Sequence, residues 1–279
     1  MQLSKITFRK SDLEQIPEAE RVMFISLSHA ANELNILSKL FQISIKGPIT
    51  SELERQVMNV QGLMFARLLA GKLSELWQMF SLVFFKSKIS LEFEPLLDTE
   101  AGISLVSLKK YFSRSNIINT VRNKCAFHYS MDEISEGYSA LDDSRVLDIY
   151  LSQSNANTIY CFADYIANLA MLKSIDAEDS RSAVENFMGD TSNAMKWFNL
   201  LLGNCIAIIT KKYLRNSLME SNIEKMNLNG FPNWESVSIP FFIEDPKFFQ
   251  VSLQNGTELT WGEHSQDAPD LIGPNRSIN

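Results

Sequence analysis

The chain is poor in residues that ligate metals or cross-link a fold. It has three cysteines and three histidines in 279 residues. Cys125, Cys161 and Cys205 lie far apart with no Cys-x-x-Cys spacing, which argues against a zinc knuckle and a disulfide framework, so reduced thiols are expected. The carboxylates Asp98, Glu100, Asp142 and Asp143 show no metal-ligand spacing, and no Gly-rich phosphate loop is present, so neither a metal nor another cofactor is expected. Long hydrophobic runs are also missing. The longest strongly apolar stretch, Trp197 to Ile209, falls short of the about 20 residues a bilayer span needs. The first ten residues lack the apolar core of a secretory signal. A soluble, cytoplasmic protein with no membrane association is the expectation. Positive charge is in deficit, with a formal net charge of −7. That excludes a general nucleic-acid coat, whose affinity comes from summed positive charge.

The charge is unevenly spread. Between Ala101 and Met131 there is no Asp or Glu, and the stretch holds Lys109, Lys110, Arg114, Arg122 and Lys124. Such a run reads either as a solvated helix face or as a surface for phosphate.

Most of the chain carries helical periodicity. After Pro17, Met23, Leu27, Ala30, Leu34, Leu37 and Phe41 form one apolar stripe, ended by Gly47-Pro48. Ser51 with Glu54 three residues on is a capping box, and the helix it opens runs to about Phe85. The short connection predicts an antiparallel hairpin of these two helices. Ile89, Leu91 and Phe93 alternate with polar residues and suggest a short strand. Ser104 is expected to cap a helix to Phe112, and a second piece is expected from about Asn116 to near Phe127. Residues 130–155 give no clear pattern. Helix returns from Thr158 to Ser174 and again from Asp176 to Ser217, with a break suggested at Gly189-Asp190. Trp197 to Ile209 is apolar all round, which places it at the centre of a bundle or in a subunit interface. Phe249, Val251 and Leu253, then Asn255-Gly256, then Thr257, Leu259 and Trp261 read as a β-hairpin. The expected fold is therefore all-α: an up-and-down helical bundle over residues 1–220, a small β appendage over 221–262 and a disordered tail over 263–279.

The most informative segment lies inside the acid-free stretch: Arg122-Asn123-Lys124-Cys125-Ala126-Phe127-His128. Six positions along an ideal helix amount to about 600° of rotation and about 9 Å of rise. Arg122 and His128 would then not share a face. They converge only if the helix ends before His128, or if a second copy of the chain supplies the partner. A two-fold dimer would bring two arginines and two histidines to one axis. That set suits metal-free RNA cleavage. One imidazole takes the proton of a ribose 2′-hydroxyl, the other protonates the leaving 5′-oxygen, and the guanidinium stabilises charge on phosphorus. Asn123 could orient a phosphate or the imidazole. The alternative is a helix C-terminal end, where cations satisfy free carbonyls. His29 lies off its helix's apolar stripe and reads as a surface residue, and His264 falls in the expected tail.

An arginine, a polar residue and then a histidine after four to six intervening residues, within a helical bundle, resembles the HEPN superfamily. Arg122-Asn123 and His128 match that pattern, and the string from Val121 to Tyr129 looks like a common form of it. The resemblance covers about ten specific residues, and residues 17–217 in the order of elements. It implies a dimerising helical bundle. In active members it implies a metal-independent endoribonuclease of toxin–antitoxin, phage-defence or RNA-processing systems. Arg122, Asn123 and His128 would be catalytic, with Lys109, Lys110, Arg114, Lys124 and Tyr129 contacting RNA. An antitoxin or defence-system partner is then possible. Some toxin members place a tyrosine two positions after the histidine; here Tyr129 follows directly and Ser130 takes that place, so the tyrosine-directed regulation is not carried over. A different class stays open: a non-catalytic helical interaction module or regulator in a defence or RNA-associated complex.

Overall fold

The computed structural model describes residues 1–127, 130–152, 155–176, 178–219, 223–244, 250–252 and 258–260. The fold is all-α with small antiparallel β pairs. In chain order the elements are β1 (Gln2–Ile6), α1 (Lys10–Glu14), α2 (Glu18–Ser44), α3 (Glu52–Phe80), α4 (Ile89–Phe93), α5 (Thr99–Phe112), α6 (Ile117–Val121), α7 (Met131–Ser139), α8 (Cys161–Ile175), α9 (Ser180–Tyr213), β2 (Ile223–Asn227), β3 (Gln250–Ser252) and β4 (Glu258–Thr260).

The chain divides into two compact units, one of Met1–Tyr150 with Ile159–Ile239, the other of Leu151–Thr158 with Pro240–Asn279. In the first, α2 and α3 form the antiparallel hairpin their stripes predict. Ser44 and Ile45 lie against Gly62, and the Lys72 ammonium meets Glu33 at 2.6 Å. The capping box is present: the Glu54 N–H donates to Ser51 Oγ at 3.2 Å, and the Ser51 N–H donates to the Glu54 carboxylate at 3.1 Å. Helix α9 supplies the centre of the core, burying Phe187, Ala194, Phe198, Leu201, Leu202, Cys205 and Ile209. Aromatic rings link the helices around it. Trp77 stacks on Phe112 at 5.0 Å, and Phe112 packs on Phe198 at 6.1 Å. Burial of these side chains stabilises the bundle, each large one contributing about 1.5–3 kcal/mol.

Three local expectations are corrected, and one segment that gave no pattern takes form. The segment carrying Ile89 and Phe93 is helix α4, not a strand. Lys88 turns the chain with a left-handed φ of 65°, and Ile89 and Phe93, four apart, face inward while Leu91 is exposed. Helix α5 starts five residues before Ser104, because the Asp98 carboxylate accepts the Ala101 N–H at 2.8 Å. Helix α9 runs unbroken through Gly189-Asp190, and Asp190 takes a 2.7 Å hydrogen bond from the Tyr111 hydroxyl. Between 130 and 155 the chain forms α7, capped by Ser130, and Gly137 brings it hard against α8.

Strand β1 pairs with β2 in register Gln2 to Asn227 through Ile6 to Ile223, so β2 belongs to the first unit. In the second unit, the Asn157 side chain bonds both backbone groups of Ile243, and β3 pairs with β4 with Val251 opposite Leu259. That is the hairpin expected around Asn255-Gly256; its turn and residues 263–279 lie outside the described residues. Among the described residues no helix is long and apolar enough to cross a membrane.

Candidate functional site

Helix α6 and the π-helical turn that continues it, Arg122–Ala126, carry the motif. The start is fixed by Asn116, whose side-chain oxygen accepts the Asn119 N–H at 2.9 Å and whose amide donates to the Arg114 carbonyl at 3.0 Å. Ile118 and Val121 are fully buried and anchor α6 to the core. The segment lies along the C-terminal half of α3. Ser74 Oγ donates to Asn119 Oδ1 at 2.8 Å, and Gly71 lets the turn approach closely. A Cβ on Gly71 would sit 2.5 Å from the Phe127 ring and 3.1 Å from Ala126 Cβ. Inserted π turns of this kind recur at functional sites in proteins.

The turn sets the Arg122 guanidinium against α3. Its Nε donates to Glu75 Oε1 at 2.8 Å, Nη2 lies 2.6 Å from the same oxygen, and Nη1 donates to Asn123 Oδ1 at 3.0 Å. The Arg122 side chain keeps 30% of its exposure. A guanidinium has five N–H groups. Two are hydrogen-bonded, Nε–H to Glu75 and one Nη1–H to Asn123, while Nη2 meets Glu75 as an ion-pair contact. The terminal nitrogens keep N–H groups of the kind that grip phosphate oxygens. Glu75 was not foreseen as part of the site. It is the only acid between Glu54 and Glu92, and that isolation within apolar sequence was its one legible signal.

The acid-free sequence stretch does not remain acid-free in space. Lys109 pairs with Glu94 at 2.9 Å and sits 4.9 Å over the Phe85 ring, and Lys124 pairs with Glu133 at 2.9 Å. Its hydrogen bond to the Glu133 carboxylate raises the Lys124 pKa. Lys110 and Arg114 are exposed and have no carboxylate partner among the described residues. Cys125 approaches Glu133 at 3.9 Å, and burial, reinforced by that carboxylate, pushes its thiol up to about 11, so it stays protonated near neutral pH. His128 and Tyr129 lie outside the described residues, as does His264. His29 is a surface residue, 3.8 Å from Glu33. Among the described residues no three His, Cys, Asp or Glu side chains converge as a metal site.

The structure therefore brings Arg122, Asn123 and Glu75 together, sets Lys124 against Glu133, and leaves Lys110 and Arg114 as exposed cations with no carboxylate partner among the described residues. Compared with known proteins, the chain matches no family model, no curated protein and no solved structure.

Proposed function

We propose that the chain is a metal-independent endoribonuclease of the HEPN type, acting in the cytoplasm as a homodimer in a toxin, phage-defence or RNA-processing role. The observation that carries this reading is the Arg122 guanidinium, held by Glu75 and Asn123 with N–H groups left on its terminal nitrogens. Arg122 then takes two oxygens of the scissile phosphate and stabilises the charge that builds on phosphorus. Asn123 holds the guanidinium in plane. The two copies of His128 divide the proton work: one accepts the 2′-hydroxyl proton as oxygen attacks phosphorus, the other delivers a proton to the departing 5′-oxygen. The P–O bond to the 2′-oxygen forms as that to the 5′-oxygen breaks, leaving a 2′,3′-cyclic phosphate and a free 5′-hydroxyl. Lys110 and Arg114 attract the RNA backbone, with Lys109, Lys124 and Tyr129 as further contacts.

The test is cleavage of a single-stranded RNA panel by the purified full chain in EDTA. Wild type cleaves, His128→Ala does not, and Arg122→Lys, which keeps charge but loses the fork, loses most activity. The rate falls below about pH 5.5 as both imidazoles become charged and no base remains. One observation favours the other reading, a non-catalytic helical interaction module or regulator: the Glu75 carboxylate neutralises Arg122 within the chain itself. RNA left intact by the wild type, with folding retained, selects that reading.

A further inference from the structure

A second site lies in the same unit, away from the motif. The N-terminal half of α3, the loop 145–148, α8 and the start of α9 border a cavity of about 500 Å³. That volume falls within the range of small-molecule sites, about 300–1,000 Å³. Its lining follows α3 from Glu52 to Leu63, eleven residues or about 16 Å at helical rise, so an extended molecule can lie along the helix. A further twelve residues, about 18 Å, separate Leu63 from Glu75.

The two ends of the cavity differ. Beyond Asn59, α3 lines it with Val60, Gly62 and Leu63, and Phe41 and Ile45 border that end, where Ile45 lies against Gly62. All four charged side chains of the lining gather at the other end. Glu52 and Arg55 come from the first turns of α3, and Arg145 and Asp148 from the loop. The Gln56 amide joins the two segments, donating to Asp148 at 2.8 Å. Glu52, Arg55 and Arg145 are exposed, which makes the charged end the mouth.

These four charges are not equally engaged. Arg55 Nε donates to Glu52 at 3.0 Å, and Glu52 also accepts from Gln56 at 3.1 Å. Asp148 has its bond from the same amide. Arg145 is the exception. Its guanidinium sits over the Tyr165 ring at 4.3 Å, and its side-chain N–H groups meet no acceptor among the described residues. Five N–H donors therefore stand at the mouth of an apolar cavity. A carboxylate is the group whose two oxygens match the guanidinium fork. Glu52, within electrostatic reach of Arg145, is already paired with Arg55.

We infer that this cavity binds a carboxylic acid with an unbranched apolar chain, its carboxylate on Arg145 at the mouth and its chain running along α3 toward Leu63 and Phe41. The site is independent of the proposed RNA-cleaving centre and stands whether or not the chain cleaves RNA.

The probe is octanoic acid at pH 7, compared with octanamide, which keeps the chain and loses the charge, and with butanoic acid, which keeps the charge and shortens the chain. Each is titrated into the full chain with ¹³C-methyl methionine labelling and followed by NMR. Octanoate should bind saturably and shift the methyls of Met58 and Met188, both of which line the cavity. Butanoate should bind more weakly by about threefold or more for each methylene it lacks. Octanamide should be weaker than octanoate by about fivefold, the effect of an exposed ion pair. Arg145→Gln, a change on an exposed loop, should bring octanoate down to the level of octanamide. Val184→Trp fills the cavity and should abolish binding; if it fails to fold, the wild-type and Arg145→Gln titrations decide. The inference is overturned if octanoate does not saturate, or if it shifts methionines elsewhere but not Met58 and Met188. It is equally overturned if butanoate or octanamide matches octanoate on wild type, or if Arg145→Gln keeps the preference for the carboxylate.

Discussion

A single carboxylate decides how Arg122 is held. Glu75 accepts its Nε–H and ion-pairs with Nη2, and Asn123 accepts an N–H from Nη1, so the guanidinium is a fixed plane rather than a mobile charge. Glu75→Gln keeps the shape and weakens that hold. In the proposed reaction it should lower the cleavage rate by on the order of tenfold, leave the pH profile in place and leave the thermal midpoint near wild type; an unchanged rate would remove Glu75 from the site. A different residue-level test concerns packing. A Cβ on Gly137 would meet the Ile166 carbonyl oxygen at 2.5 Å and Ala170 Cβ at 3.0 Å, both on α8. Because backbone cannot swing aside as a side-chain tip can, Gly137→Ala should cost about 1–3 kcal/mol in urea unfolding. The two kinds of detail differ in how they can be read. The Ser51 capping box was legible because its partners are three residues apart. The Glu75 contact was not, since 47 residues separate it from Arg122 and only the packing of α6 on α3 joins them.

Elements long enough to repeat a pattern were legible, and short ones were not. Helices α2, α3 and α9 show several turns of apolar stripe, so their type followed from period alone. Helix α4 has five residues, and over that length Ile89, Leu91 and Phe93 satisfy a strand pattern as well as a helical one. The start of α5 was misplaced because Asp98 sits behind a run with no clear period, while Ser104 looked equally able to cap. The observed cap carries its own pH dependence. The Ala101 backbone N–H first, and the Asn204 amide second, hold the Asp98 carboxyl below its ordinary value. A depressed carboxyl contributes stability above its unfolded-state pKa of about 3.9, and that contribution is lost as pH falls through the folded value. Asp98→Asn should therefore be less stable than wild type at pH 7, with the gap closing below about pH 4. Chemical denaturation at both pH values checks this. A gap that stays constant would show that the charge adds nothing to the cap.

At the scale of the whole molecule, the helical class and the β3–β4 hairpin were legible because composition and local pattern carry them. The pairing of β1 with β2 was not. It joins residues 2–6 to 223–227 across the entire bundle, and β1 is exposed along its length, so no apolar alternation marks it. The cavity beside Arg145 was equally invisible, since its walls come from segments spread between Phe41 and Met188. The proposed activity belongs to this scale too, because two chains must each supply a histidine. Its decisive measurement uses one end-labelled RNA cleaved in EDTA, compared with the same RNA carrying a single 2′-deoxy substitution at the cleaved nucleotide. Attack by the neighbouring 2′-hydroxyl predicts a 2′,3′-cyclic phosphate end on the first RNA and no cut at that position in the second. Cleavage of the substituted RNA at the same position, or no cleavage of either, would contradict it.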